Sequence, residues 1–363
     1  MPVTEAQVRT ALKAVQDPDL HQDIVSLGFV KSVVIDGGKV AVRIELTTPA
    51  CPVKDQLKKE AEVAVAKIPG VTSVAAEMTA VVRGSGRLPM AGDLAPNVKN
   101  FIAVGAGKGG VGKSTVAVNL SVALRQMGAA VGLMDADVYG PSIPKMLGSD
   151  TRPQSMEDGK HIRPNEAHGL KMMSMGLILD PDKPVVWRGP IIHTAIRQFL
   201  GDVVWGALDY LVIDLPPGTG DVPLTLAQSI PVTGAVVVCT PQDVALLDVR
   251  KAVGMFRQLK VPILGLVENM SYYACPSCGH RDDVFGHGGA KTWAESQGIP
   301  FLGDIPLHTQ VRIGGDAGLP ACLDPAAPAA VKDAFAFAAK ELARQVSILN
   351  LSKPATGGLE ITR

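Results

Sequence analysis

The chain of 363 residues is short of aromatic residues, long apolar runs and net charge. Its 35 basic residues balance 35 acidic ones, so charge gives no reason to expect nucleic acid or an anionic membrane as a partner. No apolar run reaches the roughly 18 residues that a membrane-spanning helix needs. The opening stretch, MPVTEAQVRTALKAV, lacks the apolar core of a signal peptide. We therefore expect a cytoplasmic protein that binds neither nucleic acid nor membrane.

Cysteine is also scarce. Five cysteines at uneven spacing do not predict a disulfide framework, which agrees with a reducing compartment. Glycine and proline are plentiful by contrast, with 38 and 27 residues, and 47% of the chain is apolar. This composition is typical of an α/β protein that has many tight turns and a sizeable core.

Residues 1–83 predict a small α+β domain. The stretch VKSVVIDGGKVAVRIEL contains two β-rich runs joined by Asp-Gly-Gly, which is a strong hairpin signal. Amphipathic helical segments lie on either side of the hairpin, and VTSVAAEMTAVV predicts a closing strand. Thr4 and Gln7 have the spacing of a capping box at the start of the first helix.

The rest of the chain predicts a larger domain of another kind. Residues 84–98 lose periodicity and gain Gly and Pro, as a linker does. Residues 99–346 alternate short apolar strands with helices, which predicts a doubly wound, mostly parallel sheet. Residues 347–363 are expected to be a flexible tail.

The stretch GAGKGGVGKST, residues 105–115, matches two glycine motifs at once. Three of its glycines fit G-x-G-x-x-G, the turn of dinucleotide-binding proteins: Gly105, Gly107 and Gly110. Other residues fit G-x-x-x-x-G-K-[ST], the phosphate loop of nucleoside triphosphatases: Gly107, Gly112, Lys113 and Ser114. Both motifs require a strand before the loop and a helix after it, so position alone does not separate them.

Lysine and aspartate separate the two motifs. A dinucleotide turn needs no lysine at the helix start, whereas a triphosphate needs a close cation for its β- and γ-phosphates. Lys113 supplies that cation, and the Ser114 hydroxyl can ligand Mg²⁺. Asp214 ends the apolar strand in YLVIDLPPGTGD, where a triphosphatase holds Mg²⁺ through water. The loop is therefore expected to bind a nucleoside triphosphate with Mg²⁺.

The base is expected to be adenine. The sequence has no [NT]-K-x-D motif of guanine-specific proteins, and Asn269 is predicted to end the strand ILGLVENM near the base. The expected ATP-binding residues are those of the loop together with this asparagine: Gly107, Lys108, Gly109, Gly110, Val111, Gly112, Lys113, Ser114, Thr115 and Asn269.

The stretch YYACPSCGH places Cys275 and Cys278 in a C-x-x-C pair, followed by His280. Such a pair occurs in redox dithiols, zinc sites and iron–sulfur sites. A thioredoxin-like setting is absent, which disfavours the redox alternative. Both metal alternatives require four ligands, so a two-fold dimer would complete the set. From the residues alone, zinc and iron–sulfur stay open.

Together these motifs resemble a known family. KGGVGKST resembles the deviant phosphate loop of MinD/ParA-like P-loop ATPases. MDADVYGPSIP, VIDLPPGTGD, TPQ, VENM and CPSCG resemble the Mrp/ApbC branch of that class, the iron–sulfur cluster carriers, over about residues 99–345. The N-terminal unit, with TTPACP at residues 47–52, is similar to a small iron–sulfur assembly domain.

The resemblance implies a homodimeric ATPase that hydrolyses ATP slowly and delivers a labile [4Fe–4S] cluster to apoproteins, with assembly scaffolds as further partners. Cys275 and Cys278 of each subunit would hold the cluster between subunits. Lys108 would reach across the dimer to the partner's phosphates, and Asp137 would orient or activate the attacking water. ATP state is expected to alter subunit packing and thereby cluster affinity.

Some assignments have competing interpretations. Asp135 and Asp221 match acids of the switch segments, but they could equally cap loops. Cys51 precedes Pro52 at a turn into a helix, where backbone N–H groups can stabilise a thiolate. The matching cysteine of related small domains is implicated in cluster handling, although a lone cysteine is more often structural.

Two other functions stay open at this point. A MinD/ParA-like positioning switch would use ATP to dimerise on membrane or DNA. A nucleotide switch with structural zinc would use the same thiolates, together with His280.

Overall fold

Separate hydrophobic cores organise the two parts of the chain in the computed structural model, which describes residues 2–51, 53–84, 90, 92–178, 189–275 and 277–352. One unit comprises the described residues up to Arg83 together with those from Ser347 onward. The other unit comprises Gly84–Val346. Residues 85–89 and 91 of the expected linker and residues 353–363 of the expected tail lie outside the described part.

The small unit has helices packed on a three-stranded sheet. Its described elements, in chain order, are α1 (Glu5–Leu12), β1 (Gln16–Asp17), β2 (Gln22–Asp23), β3 (Val30–Asp36), β4 (Lys39–Leu46), α2 (Lys54–Ala66) and β5 (Ser73–Ala80). The expected hairpin is β3–β4, and β5 pairs parallel with β4. The capping box is present, because Gln7 N donates to Thr4 Oγ1 and Thr4 N donates to Gln7 Oε1. The predicted α+β character of this unit is confirmed.

The large unit is built on a sheet that has nine strands within the described residues. They are β6 (Phe101–Ala106), β7 (Val131–Asp135), β10 (Asn165–Ala167), β11 (Leu170–Ser174), β12 (Tyr210–Asp214), β13 (Gly234–Cys239), β14 (Ile263–Ala274), β15 (Arg281–Asp282) and β16 (Phe301–Leu307). The order is β10-β11-β7-β12-β6-β13-β14, and β14 pairs with both β15 and β16. Within the described residues, the β10–β11 and β14–β15 pairs of this sheet are antiparallel, and the other strand pairs are parallel. A two-stranded ladder, β8 (Gln154–Ser155) with β9 (Ile162–Arg163), lies apart.

Helices cover both faces of this sheet. The described ones are α3 (Lys113–Gln126), α4 (Ile143–Met146), α5 (Gly189–Gly201), α6 (Asp221–Ser229), α7 (Asp243–Gln258), α8 (Gly289–Ser296), α9 (Thr309–Ala317) and α10 (Ala329–Ser352). Buried residues of α5 to α8 share one core with Phe101 and Ala103 of β6. The alternate residues Ile102 and Val104 point to the opposite face, against which α3 packs. The predicted doubly wound fold is confirmed.

The end of the chain differs from the sequence prediction. The last helix continues to Ser352, so the expected tail does not begin at residue 347. Its end is helical because it packs with the small unit, where Leu351 contacts the core and Ser347 hydrogen-bonds to Thr47. The stretch KMMSMG, by contrast, lies largely in the buried strand β11, as its apolar side chains favour. Among the described residues, no helix combines the length and apolar character needed to cross a bilayer.

Candidate functional site

The glycine loop joins β6 to α3 and presents the N-terminus of that helix. Gly112 has φ +80°, a left-handed conformation that glycine adopts without strain, and α3 begins at the next residue. No described side chain caps this helix start. The first N–H groups of α3 are therefore available to an anion, as at other phosphate-binding helix ends.

Close packing also requires glycine at the start of the loop. A Cβ atom at Gly107 would lie 2.2 Å from the backbone carbonyl oxygen of Asp248 on α7. The loop backbone therefore lies directly against α7, which limits its freedom to move. Gly109 has open space around its Cα, and Gly109 and Gly110 are both exposed.

Lys113, Ser114 and Asp214 form a hydrogen-bonded cluster beneath the loop. Lys113 Nζ lies 2.7 Å from Asp214 Oδ1 and 3.2 Å from Ser114 Oγ. Ser114 Oγ donates to Asp214 Oδ2 over 2.5 Å. Lys113 and Asp214 are buried, and burial raises the pKa of Asp214, although the Lys113 ammonium opposes that rise. The parallel pairing of β12 with β6 puts Asp214 beside the loop, as the sequence predicts.

The two acids that follow β7 have different environments. Asp137 Oδ2 lies 3.5 Å from Lys113 Nζ, so the Asp137 carboxylate faces the cluster. Asp135 instead accepts hydrogen bonds from Ser174 Oγ at 2.9 Å and from Asp137 N at 3.2 Å. Burial and the neighbouring Asp214 raise the pKa of Asp135 to about 7. The loop-capping interpretation of Asp135 agrees with these contacts.

Ser174 is a site residue that the sequence analysis missed. Its hydroxyl, at the end of β11, holds Asp135 in place and accepts a hydrogen bond from Gly176 N. The pairing of β11 with β7 sets Ser174 directly beside Asp135. A lone serine in the apolar run KMMSMG was the available signal. Asp221, by comparison, is exposed at the first position of α6.

Asn269 contacts the phosphate loop from β14. Its Nδ2 donates to the Val111 carbonyl over 2.8 Å, and the contact is buried. Asn269 does not end its strand as expected, because β14 continues to Ala274 through an irregularity at which Met270 has φ +55°. This irregularity has no signal in the hydrophobic pattern, which is why the sequence analysis ended the strand early.

A cavity of about 380 Å³ lies beside Asn269 and the start of α3. Gly112 and Thr115 form one wall, and Asn269 with Met270 forms another. The remaining walls come from α4, the end of β16 and α9 with the residues that precede the two helices, which the sequence analysis did not assign to the site: Ser142, Lys145, Met146, Pro306, Leu307, His308, Val311, Arg312, Gly315 and Asp316. Its position next to the phosphate loop and its mixed walls suit a heteroaromatic base.

Lys108 has a different environment from Lys113. It is partly exposed, and no carboxylate of the described residues pairs with its ammonium. Within the described residues, the Lys108 ammonium is therefore not one of the paired groups of the buried cluster under α3.

Cys275 and Cys278 lie in a tight turn immediately after β14. Gly279 N donates to the Cys275 carbonyl at 2.8 Å, and Cys275 N donates to the His280 carbonyl at 2.9 Å. Cys278 is exposed and Cys275 partly so. Hydrogen bonds from the backbone N–H groups of Ser277 and Cys278 lower the pKa of the Cys275 thiol. This turn favours the thiolate, which is the form that ligands a metal.

A third ligand does not join the cysteine pair within the described part of one chain. There, no three His, Cys, Asp or Glu side chains gather as a metal site, so His280 does not complete a set with Cys275 and Cys278. Two thiolates per chain are fewer than either zinc or an iron–sulfur cluster needs.

The other cysteines are less suited to reaction. Cys239 and Cys322 are buried, and burial raises the pKa of both, that of Cys322 to about 12. Burial and the nearby carboxylates of Asp17 and Asp19 also raise the pKa of Cys51, outweighing the Val53 N–H. The Val53 N–H thus favours the Cys51 thiolate as the sequence predicts, but burial outweighs it and the pKa is raised overall.

Comparison with known proteins assigns the chain to a family. The profile of the NUBPL iron-transfer P-loop NTPases matches residues 97–343, and that of an iron–sulfur cluster assembly protein matches residues 5–77. The chain belongs to this family of iron-transfer P-loop NTPases. The resemblance found in the sequence is thereby confirmed, including the small assembly-type domain.

Curated relatives extend the match over nearly the whole chain. An iron–sulfur cluster carrier protein from Deinococcus radiodurans is 48% identical over 344 residues, which cover 94% of this chain and 96% of the relative. One of the same description from Escherichia coli is 42% identical, covering 87% of this chain and 85% of the relative. This family is therefore one of nucleotide-binding NTPases whose curated members are described as iron–sulfur cluster carriers.

Solved structures agree on the fold. A nucleotide-binding protein from Archaeoglobus fulgidus, in complex with ADP, is 42% identical and has a TM-score of 0.55, covering 61% of this chain and 87% of that one. The cell division ATPase MinD from Pyrococcus furiosus has a TM-score of 0.50 at 24% identity, covering 67% of this chain and 97% of that one. The MinD likeness concerns the fold alone.

Proposed function

We propose that the chain is an ATP-hydrolysing carrier that takes up a [4Fe–4S] cluster as cargo between two copies and delivers it to apoproteins. One observation links the two halves of this function. Strand β14 contacts the phosphate loop through Asn269 and leads at Ala274 directly into Cys275. A single strand thus joins the nucleotide site to the cysteine pair.

The loop and its cluster supply what ATP hydrolysis requires. The N–H groups at the start of α3 and the Lys113 ammonium would hold the phosphates, and the cavity beside Asn269 and Thr115 would hold adenine. In the reaction, water attacks the γ-phosphorus, the bond to the ADP oxygen breaks, and the proton leaves with inorganic phosphate. Asp137, on the Lys113 side of the cluster, would orient that water.

The donor set at the cluster fits Mg²⁺. The Ser114 hydroxyl and the Asp214 carboxylate are hard oxygen donors next to the expected phosphates, and Mg²⁺ prefers such ligands together with water. When bound, Mg²⁺ would neutralise charge that develops on the β- and γ-phosphates. A phosphate would compete with Asp214 for the Lys113 ammonium, which would free the carboxylate for this role.

The cysteine pair supports the cluster half of the proposal. Cys275 and Cys278 are accessible, and the described residues of one chain offer them no third ligand. A second copy would bring two more thiolates around a two-fold axis, which completes four. A cluster held this way lies at a surface, as suits cargo that is given up. Cys51, whose pKa burial raises, would take part in cluster handling within the small unit.

Lys108 would act in trans in such a dimer. Its ammonium would contact phosphates bound by the second copy and spread the charge of the transition state, as an arginine finger does. ATP would then connect subunit packing with hydrolysis.

Anaerobic reconstitution tests the proposal. The protein is incubated with iron and sulfide, and Fe, S and Zn are measured per dimer beside a Cys275→Ala/Cys278→Ala variant. We expect about four irons and four sulfides per dimer, lost in the variant. A Cys239→Ala/Cys322→Ala variant is the matched control, because both of its thiols are buried away from the turn. Tight zinc without an iron–sulfur chromophore would instead leave an ATPase with structural zinc.

A transfer assay tests the connection with ATP. Lys113→Ala should slow delivery from the loaded protein to an apo-acceptor at least about tenfold. Unchanged transfer in that variant would contradict an ATP-dependent carrier. Nucleotide-dependent attachment to lipid vesicles or DNA would favour a positioning switch instead.

A further inference from the structure

Four consecutive residues of β14, Glu268 to Ser271, contact different parts of the large unit. Two of them face the nucleotide site and two face the segment that returns from the cysteine turn. Between Asn269 and Tyr273 the strand loses its regular pairing with β16, and Met270 has φ +55°. A left-handed backbone is strained for methionine, so its neighbours must hold it there.

On the nucleotide side, Asn269 and Met270 touch the loop itself. Asn269 hydrogen-bonds to Val111, and its Nδ2 is so near Gly112 that a Cβ there would lie 2.2 Å away. Met270 Cε would lie 3.6 Å from the same Cβ position, and both side chains line the cavity. A ligand that moves the loop or fills the cavity is therefore in a position to contact these two residues.

On the cysteine side, Glu268 and Ser271 fix the end of the returning segment. Glu268 is fully buried, and its carboxylate accepts hydrogen bonds from Gly288 N and Ala290 N, each at 2.9 Å. Ser271 Oγ lies 2.5 Å from Glu268 Oε1 and 2.7 Å from His287 Nδ1. Because the carboxylate can only accept, the serine donates to it and accepts from His287 Nδ1–H.

The segment from Cys275 to Gly288 is thus attached to β14 at both ends. It leaves the strand after Ala274 and returns at His287 and Gly288, which are bound to Ser271 and Glu268. Between these points the Arg281 guanidinium lies 3.9 Å from the centre of the Tyr272 ring. The returning end of the cysteine segment is therefore held by Glu268 and Ser271, which directly flank the two residues that contact the nucleotide loop.

We propose that Glu268, Ser271 and His287 are positioning residues that transmit occupancy of the nucleotide site to the Cys275/Cys278 turn. Displacement of Asn269 and Met270 by nucleotide rotates the backbone at Met270, and this changes the attachment of His287 and Gly288. The inference rests on the proposed function only for the identity of the nucleotide and the cargo. Thermodynamic linkage makes this coupling reciprocal. If nucleotide changes the affinity of the cysteine pair for a ligand by some factor, that ligand changes the affinity for nucleotide by the same factor.

Thiol reactivity in the full-length protein tests this coupling. Alkylation of Cys275 and Cys278 by iodoacetamide is timed by peptide mass spectrometry with and without ADP·Mg²⁺, while light scattering follows the oligomeric state. In the wild type we expect ADP·Mg²⁺ to change both rates about fivefold or more, within the usual range of coupling factors. In Ser271→Ala the change should fall below about 1.5-fold, while the Kd for ADP stays within about twofold of wild type.

Controls separate positioning from damage. Ser121→Ala removes an equally buried serine hydroxyl, one that bonds within α3, and should respond as the wild type does. His287→Gln gives a second test if Ser271→Ala fails to fold. Rates compared between proteins of the same oligomeric state exclude simple shielding by a second copy.

The possible failures are distinguishable. A wild-type protein that binds ADP·Mg²⁺ without a change in either rate would overturn the coupling but leave the carrier function standing. A wild-type response that persists in Ser271→Ala and His287→Gln would overturn the assignment of these residues. Failure to bind nucleotide at all would remove the proposed function together with the coupling.

Discussion

The side chain of Asn269 donates a hydrogen bond to the carbonyl oxygen of Val111, 158 residues away in the sequence and 2.8 Å away in space. Asn269→Ala would leave that buried carbonyl without its partner, and an unpaired buried group costs about 1–3 kcal/mol. We expect the Kd for ATP to rise about tenfold, measured by calorimetry. Asn165→Ala, which removes an amide bonded to Thr151 from strand β10 at the edge of the described sheet, should leave it unchanged. Equal losses in both variants would contradict a local role for Asn269.

Lys113 and Asp214 form a buried pair whose loss should depend on pH. Lys113→Met leaves the Asp214 carboxylate without its cation, so the pKa of this residue, already raised by burial, rises further. In this variant Asp214 keeps its proton in the native state over a pH range in which the unfolded chain has released it. The free energy of unfolding of the variant, relative to wild type, therefore falls as the pH rises. We expect a loss of about 3–5 kcal/mol at pH 8 and a smaller one at pH 5.

The same variant should lose at least about 100-fold in ATPase rate, since its phosphate contact is gone. Unfolding by urea is followed by tryptophan fluorescence, because all three tryptophans, Trp187, Trp205 and Trp293, lie in the sequence of the large unit. Lys291→Met, on the exposed side of α8, is the control. A pH-independent loss would argue against the pairing.

Asp135 should destabilise the large unit at neutral pH. The pKa of the Asp135 carboxyl is about 7 in the folded protein, against 3.8 in the unfolded chain. As the pH rises, the unfolded chain therefore releases this proton first, and the free energy of unfolding falls between these two pH values. Asp135→Asn removes this dependence. We expect the free energy of unfolding of the variant, minus that of the wild type, to increase by about 2–3 kcal/mol as the pH is raised from 5 to 8. For Asp150→Asn, the same change at an exposed position, the difference in unfolding free energy from wild type should not depend on pH. The prediction would be contradicted if the difference for Asp135→Asn were also independent of pH.

Two glycines of the loop should tolerate alanine differently. Gly107→Ala puts a Cβ into the backbone carbonyl of Asp248, so the loop and α7 must separate, at a cost of about 2 kcal/mol or more in unfolding free energy. Gly109→Ala meets open space and should stay within about 0.5 kcal/mol. Equal stability of the two variants would show that the loop does not pack against α7 in solution.

Four of the five cysteines should react in a defined order. Cys275 is accessible, and neighbouring N–H groups lower its pKa, whereas burial raises that of Cys51. We expect Cys275 to be alkylated fastest at pH 7, Cys51 more slowly, and Cys239 and Cys322 only after unfolding. Mass spectrometry of a time course measures this order, and early modification of Cys51 would contradict it.

Sequence patterns were sufficient for the fold and for the phosphate loop. Apolar runs such as YLVID and turn signals such as Asp-Gly-Gly are local, and their physical causes are local too. The Lys113–Asp214 pair was predictable because parallel strands bring their carboxyl ends together. The remaining contacts depend on long-range pairing. Nothing near Ser174 in the sequence indicates that β11 lies beside Asp135.

The left-handed Met270 and the raised pKa of Cys51 illustrate the same limit. The left-handed Met270 lies where the pairing of β14 with β16 becomes irregular. The hydrophobic pattern of the sequence does not indicate such an irregularity. The second arises because burial and two carboxylates outweigh one backbone N–H, and burial is a property of the folded unit.

The small unit has a discontinuous chain, and this affects the order in which it is made. Thr47 and Ser347, 300 residues apart in the sequence, hydrogen-bond within it, and Leu351 packs against its core. During synthesis the first strands and helices of this unit leave the ribosome long before that last helical turn exists. The small unit therefore cannot complete its packing until a segment that follows the large unit in the sequence has been translated. Its final packing occurs only after the whole sequence of the large unit has been synthesised.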